Sequence, residues 1–294
     1  MKVVILGAGA IGSLYGAKLS KFNDVTLVAR KKHADIINKK GLKITGVESK
    51  TYRLKAATRI GKIEKNTLII LTTKVYDNEK AIKSIKNLIK KNNIILVLQN
   101  GYGSEEVVKK IIGKKCLALR GVTSVGANFL KPGTIKMNNI GYTAIEKSGK
   151  SKEIAENFSE CGLKAYVSKN IKEDVWKKLF MNCVLNPITG IFKIKNYEIA
   201  DEKLKPLRDE IIKECLSVAK KDGFNFSFKF VENIIDRVRK SKNYSSMYQD
   251  LSKGKRTEID YLNGAVVRLG KKYGIKCPVN ESLVGMIKFL EART

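Results

Sequence analysis

The run Gly7-Ala8-Gly9-Ala10-Ile11-Gly12 follows directly on the β-branched stretch Lys2–Leu6 (KVVIL), and Leu14, Tyr15, Ala17 and Leu19 then recur at helical spacing. A short apolar strand, a glycine-rich turn and a helix in that order open a parallel sheet of alternating strands and helices. In such a turn the first glycine permits the tight bend. The second lets the backbone approach a pyrophosphate with no Cβ in the way, and the third lets the helix pack closely on the strand. The helix N-terminus offers free N–H groups to phosphate. A second strand at residues 25–29 (VTLVA) supplies the expected context, so the turn reads as a dinucleotide site. The same context argues against reading the apolar N-terminus as a signal peptide.

The residue ending the second strand selects between nicotinamide cofactors. An Asp or Glu there accepts hydrogen bonds from ribose hydroxyls, whereas this chain has Arg30, followed by Lys31 and Lys32. A carboxylate repels a 2′-phosphate and a guanidinium grips it with two hydrogen bonds, so NADP(H) is expected over NAD(H). Basic residues are abundant: 58 Lys and Arg stand against 28 Asp and Glu, a net +30. Residues 1–150 hold 30 basic and 9 acidic residues, net +21, and the remainder hold 28 and 19, net +9. The lysines are scattered among turns and helix faces. They read as a solvated surface that attracts anionic small molecules, and not as a nucleic-acid module, for which aromatic interleaving is missing.

Further buried-strand runs at residues 68–73 (LIILTT) and Ile94–Leu98 flank an amphipathic stretch at residues 78–91, which extends the alternation into a doubly wound sheet. Ligands bind beyond the carboxyl ends of such strands. Thr72-Thr73-Lys74 and Gln99-Asn100-Gly101 fall there, and a strand at residues 116–122 leads to Thr123-Ser124-Val125-Gly126-Ala127 as another wall. Pro132-Gly133 marks a turn between short segments at a sheet edge.

From about Ile171 glycine thins out and helical periodicity runs to the end, over residues 172–185, 202–222, 228–240, 258–273 and 281–291. The expected organisation is an α/β chain, with a Rossmann dinucleotide-binding domain at residues 1–168 and a mostly α-helical domain at residues 169–294. In Trp176–Thr189 (WKKLFMNCVLNPIT) the residues Lys178, Asn182 and Asn186 fall within an arc of about 80° on one helix face. One cation and two amides in an apolar segment either satisfy neighbouring helix ends or floor a site for a small hydroxylated acid. Pro187 predicts a bend or end near Asn186. Asn243 and the serines after it suit a carboxylate, although Ser246 equally suits the N-cap of the next helix. Glu258 is expected at the start of a long helix, where the dipole favours a carboxylate.

Together these residues resemble the 2-dehydropantoate 2-reductases (ketopantoate reductases), with a 6-phosphogluconate-dehydrogenase-like helical domain. The resemblance rests on GAGAIG, Thr73-Lys74, Gln99-Asn100-Gly101, the block WKKLFMNCVLNPIT, and SSMYQDL followed by RTEIDYLNG. Gly190 departs from it, standing where an alanine is usual. The resemblance implies NADPH-dependent reduction of ketopantoate to (R)-pantoate for coenzyme A synthesis, with Lys178 as general acid. It implies substrate contacts at Asn182, Asn186, Asn196, Asn243 and Ser246, and cofactor contacts at residues 7–12 (Gly7, Ala8, Gly9, Ala10, Ile11 and Gly12), Arg30, Lys74, Asn100 and Ala127. Glu258 matches a position linked to cofactor and to catalysis. The alternatives are another 2-keto or 3-hydroxy acid dehydrogenase of this two-domain class and a non-catalytic NADPH sensor.

Five scattered cysteines and a single histidine, His33, argue against a metal site or disulfide framework and for free thiols in a reducing cytoplasm. No apolar run approaches the roughly 18 residues of a membrane span. A small keto acid is the expected partner, with a homodimer among the expectations.

Overall fold

In the computed structural model, which describes residues 1–293, strand β1 (Lys2–Leu6) turns Val3 and Ile5 to one face and Val4 and Leu6 to the other. All four are buried, so the strand lies in a sheet covered on both sides. Elements α1 (Ala10–Leu19), β2 (Asp24–Val28), α2 (Lys31–Lys40), β3 (Leu42–Gly46), β4 (Lys50–Tyr52), β5 (Lys55–Ala57) and β6 (Thr67–Leu71) follow. Then come α3 (Asn78–Ile85), β7 (Ile94–Leu98), α4 (Ser104–Ile112), β8 (Leu117–Thr123), β9 (Gly126–Lys131), β10 (Thr134–Asn139), β11 (Tyr142–Ile145), α5 (Ser151–Glu160) and β12 (Lys164–Val167).

The main sheet has the order β12-β11-β8-β7-β6-β1-β2-β5 and is parallel except where β11 runs against β8. The chain leaves β1 towards β2 on one side and returns to β6 on the other. The direction therefore switches at β1, beside the glycine turn, where ligands of doubly wound sheets bind. Leu68 and Ile70 of β6 and Leu96 and Leu98 of β7 join the core that also holds Leu14, Ile37 and Phe158 of the helices. Ile69, Leu71, Ile95 and Val97 point the other way, against Ile82, Ile85, Val108 and Ile112.

One local expectation changes and another holds. The amphipathic stretch at residues 78–91 is helical only to Ile85; turns follow, and Asn93 Oδ1 accepts from Lys90 N before the chain enters β7. The Pro132-Gly133 turn joins β9 to β10 in a separate four-stranded sheet, β4-β3-β10-β9. Its Leu42, Ile44, Ile135 and Met137 share the core with Val3 and Ile5.

Residues Met1–Gln99 and Gly103–Ile171 form one compact unit; Asn100–Tyr102 and the chain from Lys172 onward form a second. The second unit contains α6 (Ile171–Phe192), α7 (Lys205–Lys221), α8 (Phe228–Asp236), α9 (Ser246–Leu251), α10 (Asn263–Tyr273) and α11 (Pro278–Glu291). They surround a core of Trp176, Phe180, Val184, Ile188, Ile211, Val218, Val266 and Ile287.

Helix α6 does not end at Pro187 but runs on to Phe192. Proline has no N–H to give the carbonyl four residues earlier, here that of Cys183. Asn263 Nδ2 donates to that carbonyl at 2.9 Å, and Asn280 Oδ1 accepts from the same amide at 2.9 Å. Glu214 in turn accepts from Asn280 N and Nδ2 at 2.9 and 2.7 Å. A buried polar chain thus replaces the lost helical bond. At Gly190 a Cβ would lie 3.1 Å from Leu251 and 3.4 Å from Ile287, which accounts for the smaller residue where α9 and α11 close on α6.

Among the described residues no helix is long and apolar enough to cross a membrane, and no group of three His, Cys, Asp or Glu could hold a metal ion. All five cysteines are free, four of them buried.

Candidate functional site

The first unit builds its candidate site from backbone. Gly7 has φ +104°, a region that L side chains rarely adopt, and the turn it allows is pinned by Gly7 N and Ala8 N to Val28 O at 3.3 and 2.9 Å. Thr72 Oγ1 donates to Gly7 O at 2.9 Å from the end of β6. Gly12 lies against Thr72, Gly7 O and Ile5, so a side chain there would force α1 off the sheet. Gly9 is exposed, and a Cβ on it would meet nothing within 4 Å. It is also the N-cap of α1 and provides no side-chain cap, which leaves the N–H groups of the first turn, from Ala10 and Ile11, for an external acceptor. Arg30 caps α2 just beyond β2, exposed and without an ion partner among the described residues.

His33 braces this loop from behind. Gly133 N donates to Nδ1 at 2.8 Å, so the neutral ring carries its proton on Nε2, 3.0 Å from Ser13 Oγ. Ser13 Oγ donates in turn to Ala8 O at 3.3 Å, and burial lowers the His33 pKa below its ordinary value.

The ends of β6 and β7 are held by Gln99, which the sequence places there, together with Asn78 and Arg120, which sequence reasoning missed. Gln99 Nε2 donates to Thr73 O at 2.6 Å and to Asn78 Oδ1 at 2.5 Å, while Asn78 Nδ2 donates to Gln99 Oε1 at 2.9 Å. Arg120 lies buried in β8, donates to Gln99 O at 2.8 Å and to Ser104 Oγ, and pairs with Glu105 at 3.7 Å. An arginine inside the apolar run LALRGV was the available signal. Lys74, half-buried, precedes a short 3-10 turn, Val75–Asp77. Ala127 stands in β9 opposite Met137, packed on the core, and only Ser124 and Val125 lie between β8 and β9.

The second unit builds its candidate site from side chains. Lys178, Asn182 and Asn186 occupy one face of α6 at successive intervals of four. Asn182 is 5% exposed and Asn186 3%. The Asn182 Nδ2 is buried with no hydrogen-bond partner, although such groups are rarely left so. Lys178 is partly buried and has no ion pair among the described residues, whereas its neighbour Lys177 pairs with Glu173 at 2.6 Å. Burial lowers the Lys178 pKa from the ordinary lysine value.

Asn196 and Asn243 meet through Asn196 N, which donates to Asn243 O at 2.9 Å, and Asn196 Oδ1 is a second buried polar atom without a partner. Ser246 is not the N-cap of α9. That cap is Ser245, which accepts from Tyr248 N at 3.1 Å and bonds Thr189 of α6 at 2.7 Å, leaving Ser246 exposed in the first turn.

Glu258 is not at the start of a long helix. It precedes the 3-10 turn Ile259–Tyr261 and is 7% exposed, while α10 begins at Asn263. Thr257 fixes this turn: its N–H reaches Glu291 at 2.7 Å, and its Oγ1 accepts from Ile259 N at 3.2 Å. The segment Asn100–Tyr102 docks on the same turn. Tyr102 N donates to Tyr261 O at 3.0 Å, and Gly101 has φ +85°, with space for a Cβ only 2.7 Å from that carbonyl.

The sequence matches the family described as ketopantoate reductase PanE/ApbA over residues 3–150 and its C-terminal domain over residues 170–291. It is similar to the 2-dehydropantoate 2-reductases of Pyrococcus abyssi and Pyrococcus horikoshii, each 37% identical over 99% of this chain and 98% of the relative. Among solved structures it is similar to D-mandelate dehydrogenase with NADH and anilino(oxo)acetate, at 30% identity and TM-score 0.91, covering 100% of this chain and 99% of the other. The chain belongs to the ketopantoate reductase family.

Proposed function

We propose that the protein reduces 2-dehydropantoate to (R)-pantoate with NADPH, the step that supplies pantoate for coenzyme A synthesis. The carrying observation is on α6: an unpaired, desolvated Lys178 one turn from a buried amide with no partner. A packed core does not leave such groups idle, and a small acid bearing a keto oxygen would satisfy both. The relatives named for this reaction support the same reading.

The first unit fits a phosphorylated dinucleotide, through the uncapped start of α1, the open face of Gly9 and the free Arg30 guanidinium. Lys74, Asn100 and Ala127 are the further contacts we assign to it, with Glu258. Bound NADPH supplies a hydride to the C2 carbonyl carbon. Lys178 Nζ stabilises the charge that develops on the carbonyl oxygen and gives it the proton, so that C=O becomes CH–OH. Its lowered pKa makes the ammonium a stronger acid than that of an ordinary lysine. Asn182 and Asn186 orient the acid along the same face, and Asn196, Asn243 and Ser246 bind its polar end.

A second reading, reduction of a different 2-keto acid, draws on the likeness to D-mandelate dehydrogenase. The test is NADPH absorbance loss on adding ketopantoate or phenylglyoxylate in parallel. Faster loss with ketopantoate supports the proposal, and faster loss with phenylglyoxylate replaces it by the second reading. NADPH binding without loss in either leaves a sensor. Light scattering on the same sample tests the homodimer, and free thiols on all five cysteines in cell extract would agree with a cytoplasmic setting.

A further inference from the structure

Asp222 follows the last residue of α7, where the helix dipole is negative and a carboxylate is locally unfavourable. Its partners are distant in sequence. Oδ2 accepts from Tyr102 Oη at 2.7 Å and from Trp176 Nε1 at 2.9 Å, and Oδ1 accepts from Tyr273 Oη at 2.6 Å. Burial pushes this carboxyl up, but the three donors and nearby Lys172 outweigh it and hold the group below the usual range.

Each donor belongs to a different piece of the second unit. Tyr102 ends the segment that carries Asn100, Trp176 stands on α6 two residues before Lys178, and Tyr273 closes α10. Tyr102 and Trp176 also face each other, with ring centroids 5.6 Å apart. A single carboxylate oxygen therefore ties the Asn100 segment to the Lys178 helix.

We propose that Asp222 is a positioning residue, which fixes the segment bearing Asn100 against the helix bearing Lys178 and so sets cofactor affinity and proton donation together. The proposal rests on the reading that Asn100 meets the cofactor and Lys178 donates the proton. It extends that reading to a residue that touches neither ligand. Tyr273 holds the other carboxylate oxygen, Oδ1, from the end of α10.

The experiment compares Tyr102→Phe, Asp222→Leu, Asp222→Asn and Tyr273→Phe for NADPH Kd by calorimetry, for kcat with ketopantoate, and for Tm. Loss of a hydrogen bond to a charged acceptor predicts a Kd raised about fivefold in Tyr102→Phe, and about tenfold in Asp222→Leu with a similar fall in kcat. Asp222→Asn keeps an acceptor and the shape, so both values return to within about threefold of wild type. Tyr273→Phe stays within about twofold. Trp176, the only tryptophan, reports the same contact: its emission shifts in Asp222→Leu and holds in Tyr273→Phe. Unchanged Kd and kcat in Tyr102→Phe and Asp222→Leu with a lowered Tm overturn the proposal, as does an equal effect of Tyr273→Phe and Tyr102→Phe. If Asp222→Leu does not fold, the two tyrosine variants decide alone. A wild type that binds NADPH without reducing ketopantoate defeats the substrate reading, while the Kd comparison still decides the role of Asp222.

Discussion

The glycine turn at residues 7–12 and the α6 stripe of Lys178, Asn182 and Asn186 present polar groups by different means. The turn offers backbone N–H groups, and its side chains matter mostly by being absent. The stripe offers side chains on a regular helix, two of them amides in a setting where unpaired polar atoms are costly. A backbone site tolerates change around it as long as φ and close approach are preserved. A side-chain site depends on each group and on whatever keeps its helix continuous. Ligand affinity in the first should be insensitive to substitutions that abolish chemistry in the second.

The largest expected effect tests that separation. Lys178→Ala lowers kcat/KM for ketopantoate by about 10³–10⁴ with NADPH Kd within about threefold, read by steady-state kinetics and calorimetry. An equal loss of NADPH affinity would break the contrast between the halves. In wild type, activity falls as pH rises through the lowered lysine pKa, because only the ammonium carries the proton. The alkaline limb of the pH profile therefore lies below that of an ordinary lysine.

Asn182→Ala comes next. It raises the ketopantoate KM about 10–100-fold, the loss of a hydrogen bond to a charged group, and leaves Tm no lower, because the deleted Nδ2 has no partner to strand. A marked fall in Tm would mean that the amide is structural. In the first unit Arg30→Ala raises the NADPH Kd about tenfold and leaves the NADH Kd nearly unchanged, since only the former has a 2′-phosphate to hold. Equal losses for both would sink the specificity argument.

The remaining two concern support rather than contact. Asn263→Ala leaves the Cys183 carbonyl buried and unpaired, and costs about 1–3 kcal/mol in chemical denaturation. The smallest effect belongs to His33. Burial lowers its pKa from 6.5, so below pH 6.5 the unfolded chain binds more protons than the folded one. Stability from this group is complete above pH 6.5 and is lost as pH falls towards the lowered value. A small drop in Tm between pH 7 and 5.5, flattened in His33→Gln, is the expected record. A drop of equal size in the variant would assign it elsewhere.

Much of this molecule is written in short-range pattern. The KVVIL run alternates between two buried faces because both sides of a parallel strand are covered, and the glycines mark a turn whose φ and close contacts exclude side chains. Spacing by four put Lys178, Asn182 and Asn186 on one face, since 3.6 residues make a turn wherever the helix lies. These features depend on neighbours a few residues away, so periodicity carries them.

What tertiary structure decided came from farther along the chain. Pro187 by itself argues for a break, and Asn263 removes the cost by donating to the freed carbonyl from another helix. Ser245 and not Ser246 caps α9, because its hydroxyl also bonds Thr189 on α6. Glu258 precedes a turn held by Glu291, and Asp222 collects Tyr102, Trp176 and Tyr273. Arg120, Gln99 and Asn78 join strand ends in the same way. A buried polar group must find a partner, but its own sequence neighbourhood does not say which. Amide, hydroxyl and carboxylate partners are interchangeable in type, and only the packing of whole elements brings one of them within 3 Å.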